Sequence, residues 1–242
     1  MNQLPTVTKN LLIINVLCFF GAVVAQRYGI SLNNVGGMHF FLSPDFNVAQ
    51  LVSYMFLHAN FEHIFFNMFA VWMFGRTLEM VWGPKRFLIY YMICGIGAGL
   101  VQELISAIEY FTLTSSMPAE AVETVLREGS SILQSGMNYV DSRMAELNIA
   151  VNRSTVGASG AVYGILLAFG MLFPNSQMYV FPIPFPIKAK FFVIGYAVIE
   201  LVLGMSRTAD GVAHFAHLGG MIFGFLLIMY WKKNRNNGQF YY

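Results

Sequence analysis

The stretch VGASGAVYGILLAFGMLF, residues 156–173, decides the fold class of this chain, because it contains no charged side chain. A helix that crosses the roughly 30 Å hydrocarbon core of a bilayer needs about 20 apolar residues. Similar stretches recur along the chain, which is 57% hydrophobic and 11% charged, whereas a soluble domain carries about 25% charged residues. Backbone polar groups in hydrocarbon must be paired internally. The sequence therefore predicts an all-α, polytopic membrane protein.

Six segments are predicted to be transmembrane helices. They are residues 11–25, 61–81, 87–108, 156–173, 191–205 and 212–231. Cations cluster at alternate ends of these segments: Lys9, Arg76, Lys85, Arg86, Lys188, Lys190, Lys232, Lys233 and Arg235. The positive-inside rule then predicts that both termini are cytoplasmic.

Composition also limits the partners and the chemistry. A net charge of +2 is too small to indicate a nucleic-acid partner. Cys18 and Cys94 fall inside apolar runs, so we interpret them as small buried hydrophobes and not as a disulfide or metal site.

Two longer segments on the predicted outer side are more than linkers. Residues 29–59 mix turn residues with aromatic ones, which favours a partly folded element at the headgroups. Residues 109–153 form a polar insertion with one amphipathic helix face: Met137, Val140, Met144, Leu147 and Val151. That face could pack on the bundle, lie on the membrane surface, or belong to a solvated hairpin without a role.

Gly157-Ala158-Ser159-Gly160 places a hydroxyl among small residues at the start of a predicted helix. Small neighbours allow close backbone approach, and free N–H groups at a helix start can stabilise an oxyanion. Ser159 is therefore a candidate nucleophile, with Gly157 and Gly160 in support. A simple helix-packing motif has the same composition.

His217 lies early in the last predicted helix, with Gly220 and Gly224 following on one face. The two glycines allow another helix to approach closely, and ionisable groups in membranes usually face the bundle interior. At 1.5 Å per residue, Ser159 and His217 lie on the order of 9 and 10 Å from polar flanks, so they share a depth. His217 is the candidate general base; a histidine bonded to a backbone carbonyl is the alternative.

His63 and Asn67 lie four residues apart, so they share a face of the second predicted helix. Neutral donors of this kind stabilise the oxyanion of amide hydrolysis together with a backbone N–H. The plainer interpretation is an ordinary interhelical hydrogen bond.

The sequence offers no carboxylate that is obviously placed to orient His217, as a Ser-His-Asp triad requires. We therefore expect a dyad. Tyr163, one turn beyond Ser159, is placed to lie against the imidazole, and an ordinary packing role is an equal alternative.

Together these motifs resemble the rhomboid family of intramembrane serine proteases. Gly75-Arg76-Thr77-Leu78-Glu79, followed by Gly83, is also similar to the family's second-span ending. The resemblance covers essentially the whole chain. It predicts one rhomboid-like membrane domain over residues 1–242, with six transmembrane helices.

The resemblance implies a serine endopeptidase that uses Ser159 and His217 in a wet cavity open to the extracytoplasmic side. It implies no cofactor and no metal, an oxyanion site of His63, Asn67 and the Ser159 N–H, and single-span membrane proteins as substrates. It further implies that His58 is structural, that residues 29–59 form an interfacial loop and that the fifth span is a lateral gate. The compact architecture favours a bacterial plasma membrane, with an organellar membrane as the alternative.

Three other functions remain to be weighed. An intramembrane metalloprotease could use His58, His63, His214 and His217, but the His-Glu-x-x-His signature is missing. A catalytically silent rhomboid-like protein that binds transmembrane clients typically lacks the Ser or the His, and this chain has both. A transporter leaves the clustered polar residues unexplained. The insertion 109–153 is much longer than the corresponding loop of minimal bacterial members of the family, so the resemblance does not predict the route of substrate access.

Overall fold

The computed structural model describes residues 3–179, 184–206 and 212–234, which form a helical bundle. Its helices are α1 (Thr6–Arg27), α2 (Leu32–Gly36), α3 (Gln50–Ser53), α4 (Phe61–Ala70), α5 (Arg76–Trp82), α6 (Pro84–Thr114), α7 (Ala119–Gln134), α8 (Ser142–Asn152), α9 (Ser159–Leu172), α10 (Ala189–Met205) and α11 (His214–Lys233). A 3₁₀ turn (Tyr54–Phe56) follows α3, and a π turn (Val71–Gly75) joins α4 to α5. Strands β1 (Gln177–Met178) and β2 (Ile187–Lys188) pair antiparallel before α10. Arg235, one of the predicted cytoplasmic cations, lies outside the described residues.

The all-α membrane class is confirmed. Four helical segments in the described ranges are long and apolar enough to cross a membrane: Thr6–Arg27, Phe61–Trp82, Pro84–Thr114 and His214–Lys233. Helices α9 and α10 are shorter, with 14 and 17 residues. The count of six spans therefore stays a prediction.

Two predicted boundaries move for identifiable reasons. Helix α9 begins at Ser159 instead of residue 156, because Thr155 forms an antiparallel bridge with Met38. That bridge pairs Thr155 as a strand residue, and the helix begins only after the turn at Gly157, whose φ is +136°. Helix α6 continues to Thr114, well beyond the predicted end at 108, because its last turns pack against the insertion. Tyr110 and Leu113 of α6 pack against the insertion's apolar cluster.

The insertion packs on the bundle, which was one of the three alternatives. Leu147 and Val151 of α8 are buried against Val125 of α7 and Phe40 of the 29–59 segment. Ser43 in that segment also donates a hydrogen bond to Asn152.

The predicted helix face of the insertion is wrong at its start. Asp141 caps α8 by accepting a hydrogen bond from the Met144 N–H at 3.0 Å. Met137 and Val140 precede this cap and are exposed. The apolar spacing alone does not reveal the cap that begins the helix.

Glu79 joins the first helix to the second predicted span. Its buried carboxylate accepts hydrogen bonds from the Val7 N–H at 2.9 Å, the Thr8 N–H at 2.7 Å and the Thr8 hydroxyl at 2.7 Å. These N–H groups belong to the first turn of α1, where no intrahelical partner is available. The carboxylate therefore satisfies donors that hydrocarbon could not.

Helices α6, α9 and α11 form the centre of the bundle, and glycine lets them touch. A Cβ added at Gly220 of α11 would lie 1.9 Å from the carbonyl oxygen of Gly160 on α9. A Cβ at Gly160 would lie 2.3 Å from that of Ala98 on α6. At Gly224 it would lie 2.3 Å from the Tyr90 hydroxyl. Side chains are excluded from this crossing, so the helix backbones set the spacing.

We expect Gly220→Ala to lower the free energy of unfolding by about 1–3 kcal/mol, the usual cost of overpacking. The new methyl group meets backbone, which cannot rotate away. Gly195→Ala in α10 is the matched control, because a Cβ there has nothing within 4 Å. Denaturant unfolding of both variants in detergent measures the effect, and equal stability of the two would contradict the close crossing.

Candidate active site

Ser159 is the first residue of α9, and its hydroxyl faces α11. The Ser159 Oγ lies 2.9 Å from Nε2 of His217. The first N–H groups of a helix have no intrahelical partner, so the Ser159 N–H has no hydrogen-bond acceptor within α9. The structure thus brings the predicted hydroxyl and imidazole to hydrogen-bond distance.

His217 lies in the first turn of α11 and is 8% exposed. Its ring stacks on that of Tyr163, with centroids 4.2 Å apart and planes inclined by 10°. Tyr163 is therefore where the sequence predicts it. The stack fixes the plane of the imidazole.

A carboxylate orients His217, which differs from our expectation of a dyad held by packing alone. Nδ1 of His217 lies 2.9 Å from Oε2 of Glu200 on α10. The same oxygen lies 2.7 Å from Nδ1 of His214. The hydroxyl of Tyr163 donates to the other oxygen, Oε1. Glu200 is 5% exposed, so it is buried with three partners.

Sequence reasoning missed Glu200, although one signal marks it. Glu200 interrupts the apolar run 191–205, and carboxylates inside membrane segments are costly and seldom lack a partner. Spacing could not identify that partner, because Glu200 lies 17 positions from His217 and 37 from Tyr163.

His63 reaches the same place from α4. Gly157, just before Ser159, has φ of +136°, a conformation that favours glycine. A Cβ there would lie 2.7 Å from Cε1 and Nε2 of His63 and 3.5 Å from the Ser159 hydroxyl oxygen. The absent side chain thus leaves space for the His63 ring beside Ser159.

Asn67 lies one turn after His63, and its side chain is 5% exposed. Its Nδ2 donor has no hydrogen-bond partner among the residues that the structure describes. A buried donor of this kind is available for another acceptor.

His58 supports His63 from the segment before α4. Its ring lies edge-on to that of His63, with centroids 5.1 Å apart, and it is 2% exposed. Burial, and to a lesser extent the nearby His63 ring, lowers the pKa of His58 to about 3. The side chain is therefore neutral at ordinary pH.

Glu200, His214 and His217 also form a possible metal-binding group, since their ligand atoms lie within 4.8 Å of one another. This set differs from the one weighed for a metalloprotease in the sequence, which combined His58 and His63 with His214 and His217 and did not include Glu200. The hydrogen bonds to Glu200 account for the same cluster without an ion.

Comparisons with known proteins identify a family for this chain. The family model of the rhomboid domain matches residues 45–234. Rhomboid protein 1, mitochondrial, of Saccharomyces cerevisiae is 26% identical over 191 residues, covering 76% of this chain and 42% of that protein. Rhomboid protease AarA of Providencia stuartii is 27% identical, covering 72% of this chain and 52% of that protein. Rhomboid protease GlpG of Haemophilus influenzae is 28% identical over 47% of this chain and 59% of its own length.

The chain spans about half the length of the curated relatives it matches. Two of these three relatives are named proteases, which supports protease function in general. Mitochondrial and bacterial proteins both appear among them, so they do not support our expectation of a bacterial plasma membrane.

We expect the stability of this protein to fall as pH falls from about 6.5 to about 3, partly because of His58. The unfolded chain binds a proton at that imidazole before the folded chain does, at a cost of up to roughly 1.4 kcal/mol per pH unit. Denaturant titrations of wild type and His58→Gln isolate the effect. Parallel stability curves over that range would contradict it.

Proposed function

This chain belongs to the rhomboid family, and on that basis we propose that it is a serine endopeptidase that cleaves membrane proteins in or near their transmembrane segments. One observation carries the proposal: the Ser159 Oγ lies 2.9 Å from His217 Nε2 at the start of two closely crossing helices. A hydroxyl at hydrogen-bond distance from an oriented imidazole is the usual arrangement of an activated serine nucleophile.

In the first half of the reaction, Ser159 attacks the scissile carbonyl while Nε2 of His217 takes the hydroxyl proton. A bond forms between Oγ and the carbonyl carbon, and the carbonyl oxygen becomes an oxyanion. When the C–N bond breaks, His217 gives its proton to the leaving amine. The product is an acyl-enzyme.

The oxyanion is stabilised by donors from two helices. The Ser159 N–H comes from the start of α9, and His63 and Asn67 come from α4. The close approach of His63 to Gly157 and the unused buried donor of Asn67 support these roles. Preorganised donors of this kind contribute strongly because they act where water is scarce.

In the second half, water replaces the amine. It loses a proton to His217 as its oxygen bonds to the acyl carbon, and the ester bond to Ser159 then breaks. His217 returns the proton to the serine. Water must therefore reach Ser159, which favours a wet cavity over a site sealed in hydrocarbon.

The substrates we propose are single-span membrane proteins. Ser159 and His217 both lie at the first turns of their helices, and so near one end of the bundle. The distribution of Lys and Arg supports an extracytoplasmic position for that end and cytoplasmic termini. A peptide bond at the edge of a transmembrane segment would meet the serine there.

We expect Ser159→Ala and His217→Ala each to abolish cleavage of a reporter transmembrane protein, because each removes a group that bonds to or exchanges protons with the substrate. Purified protein in liposomes, with product formation followed on gels, provides the measurement. Ser135→Ala on the exposed end of α7 is the control.

Three results distinguish the alternatives. Cleavage that persists in purified Ser159→Ala would remove the proposed mechanism. Reporter binding without cleavage by the wild type would favour a catalytically silent family member. Loss of cleavage with a chelator, together with insensitivity to a serine-directed fluorophosphonate, would favour a metalloprotease.

We expect Asn67→Ala to lower kcat by about 10² or more, with little change in KM, as for other oxyanion donors. The substitution removes a donor that acts in the transition state. Steady-state kinetics test this, with Asn10→Ala on the exposed face of α1 as the control. Equal kcat values for the two variants would exclude Asn67 from the oxyanion site.

A further inference from the structure

We propose that Glu200 is a positioning residue for His217, holding the imidazole so that Nε2 faces Ser159 as a proton acceptor. The proposal rests on the proposed function, since it assigns a role in that reaction. It replaces a dyad with a chain of three groups drawn from α9, α11 and α10. The residue acts through His217 and does not touch the substrate.

The hydrogen bonds of Glu200 determine the tautomer of His217. A carboxylate has no proton to donate, so both His217 Nδ1, at 2.9 Å, and the Tyr163 hydroxyl must donate to it. With the proton of neutral His217 on Nδ1, Nε2 carries a lone pair. That lone pair lies 2.9 Å from the Ser159 oxygen.

Stacking on Tyr163 cannot make this choice. Nearly parallel rings with centroids 4.2 Å apart restrict the tilt of the imidazole but do not distinguish its nitrogens from its carbons or select the protonated nitrogen. Only a directional partner in the ring plane does so. Glu200 is that partner, and its bond to Tyr163 also fixes the stacking ring.

Charge gives Glu200 a second effect. Once His217 has taken the serine proton it is an imidazolium between helices, and a buried cation without a counter-ion is costly. The groups that face His217 are Ser159 and Tyr163 from α9, His214 from its own helix, His63 from α4 and Glu200 from α10. Among these described residues only Glu200 supplies a negative charge.

A purely structural ion pair would be a simpler role for Glu200, and kinetics distinguish that role from positioning of His217. Glu200→Gln keeps the size of the side chain but removes the charge and turns one acceptor into a donor. We expect kcat to fall by roughly 10² or more, since the carboxylate of soluble Ser-His-Asp triads is worth about 10⁴. We expect KM to change by no more than about twofold, because Glu200 does not contact the substrate.

The control is a second buried carboxylate, Glu79, whose hydrogen-bond partners belong to α1. Glu79→Gln weakens the bonds to Thr8 and so lowers stability, and kcat per folded molecule should remain at the wild-type value. A loss of kcat in Glu79→Gln as large as in Glu200→Gln would mean that destabilisation alone lowers kcat in both variants, and it would overturn the proposal.

Nitrogen-15 NMR of histidine-labelled wild type supplies a readout that does not depend on turnover. We expect a protonated Nδ1 and an unprotonated Nε2 for His217 at neutral pH, and loss of this single tautomer in Glu200→Gln. A wild-type His217 protonated on Nε2 would overturn the proposal even if the Gln variant does not fold.

Failure of the proposed protease function and failure of the positioning role of Glu200 give different results. Wild type that does not cleave but shows the expected tautomer counts against the protease and supports Glu200 as the positioning group. Wild type that cleaves, with Glu200→Gln retaining full kcat, counts against Glu200 alone. A chelator that abolishes wild-type cleavage would assign the cluster of Glu200, His214 and His217 to a metal ion and overturn the positioning role.

Discussion

The contact between α9 and α11, backbone against backbone, is the constraint on which the rest of the structure depends. Gly220 faces the Gly160 carbonyl with no space for even a methyl group. This crossing lies within one turn of both Ser159 and His217. The distance between hydroxyl and imidazole is therefore set by main chain, which moves less than side chains do.

Around that contact, two buried carboxylates each accept hydrogen bonds from several donors. Glu79 satisfies the first donors of α1, and Glu200 accepts from Tyr163, His214 and His217. Each carboxylate joins helices that apolar contact alone would hold weakly, because lipid tails compete for apolar surfaces. Glu200 is the one charged residue of the apolar run 191–205.

Much of this could be read from sequence, since hydropathy indicated the helical membrane class and glycine spacing indicated that another helix approaches the last one closely. The i, i+4 relation of His63 and Asn67 and the one-turn relation of Ser159 and Tyr163 follow from helix geometry. Glu200 did not follow, because no periodicity relates residues on different helices. The start of α9 was also missed, since the bridge from Thr155 to Met38 is a contact between distant parts of the chain.

The position of α10 has a consequence for the medium in which the protein is studied. Most of its apolar side chains face outward, among them Phe191, Ile194, Val198 and Val202, and only Ala189, Val193 and Glu200 are buried. On the predicted topology, in which α10 is a transmembrane helix, acyl chains press directly on the helix that carries the Glu200 carboxylate. Bilayer thickness, to which transmembrane helices respond by tilting, would then act on the imidazole through a single side chain, so that lipid composition would be one of the variables of the proposed chemistry.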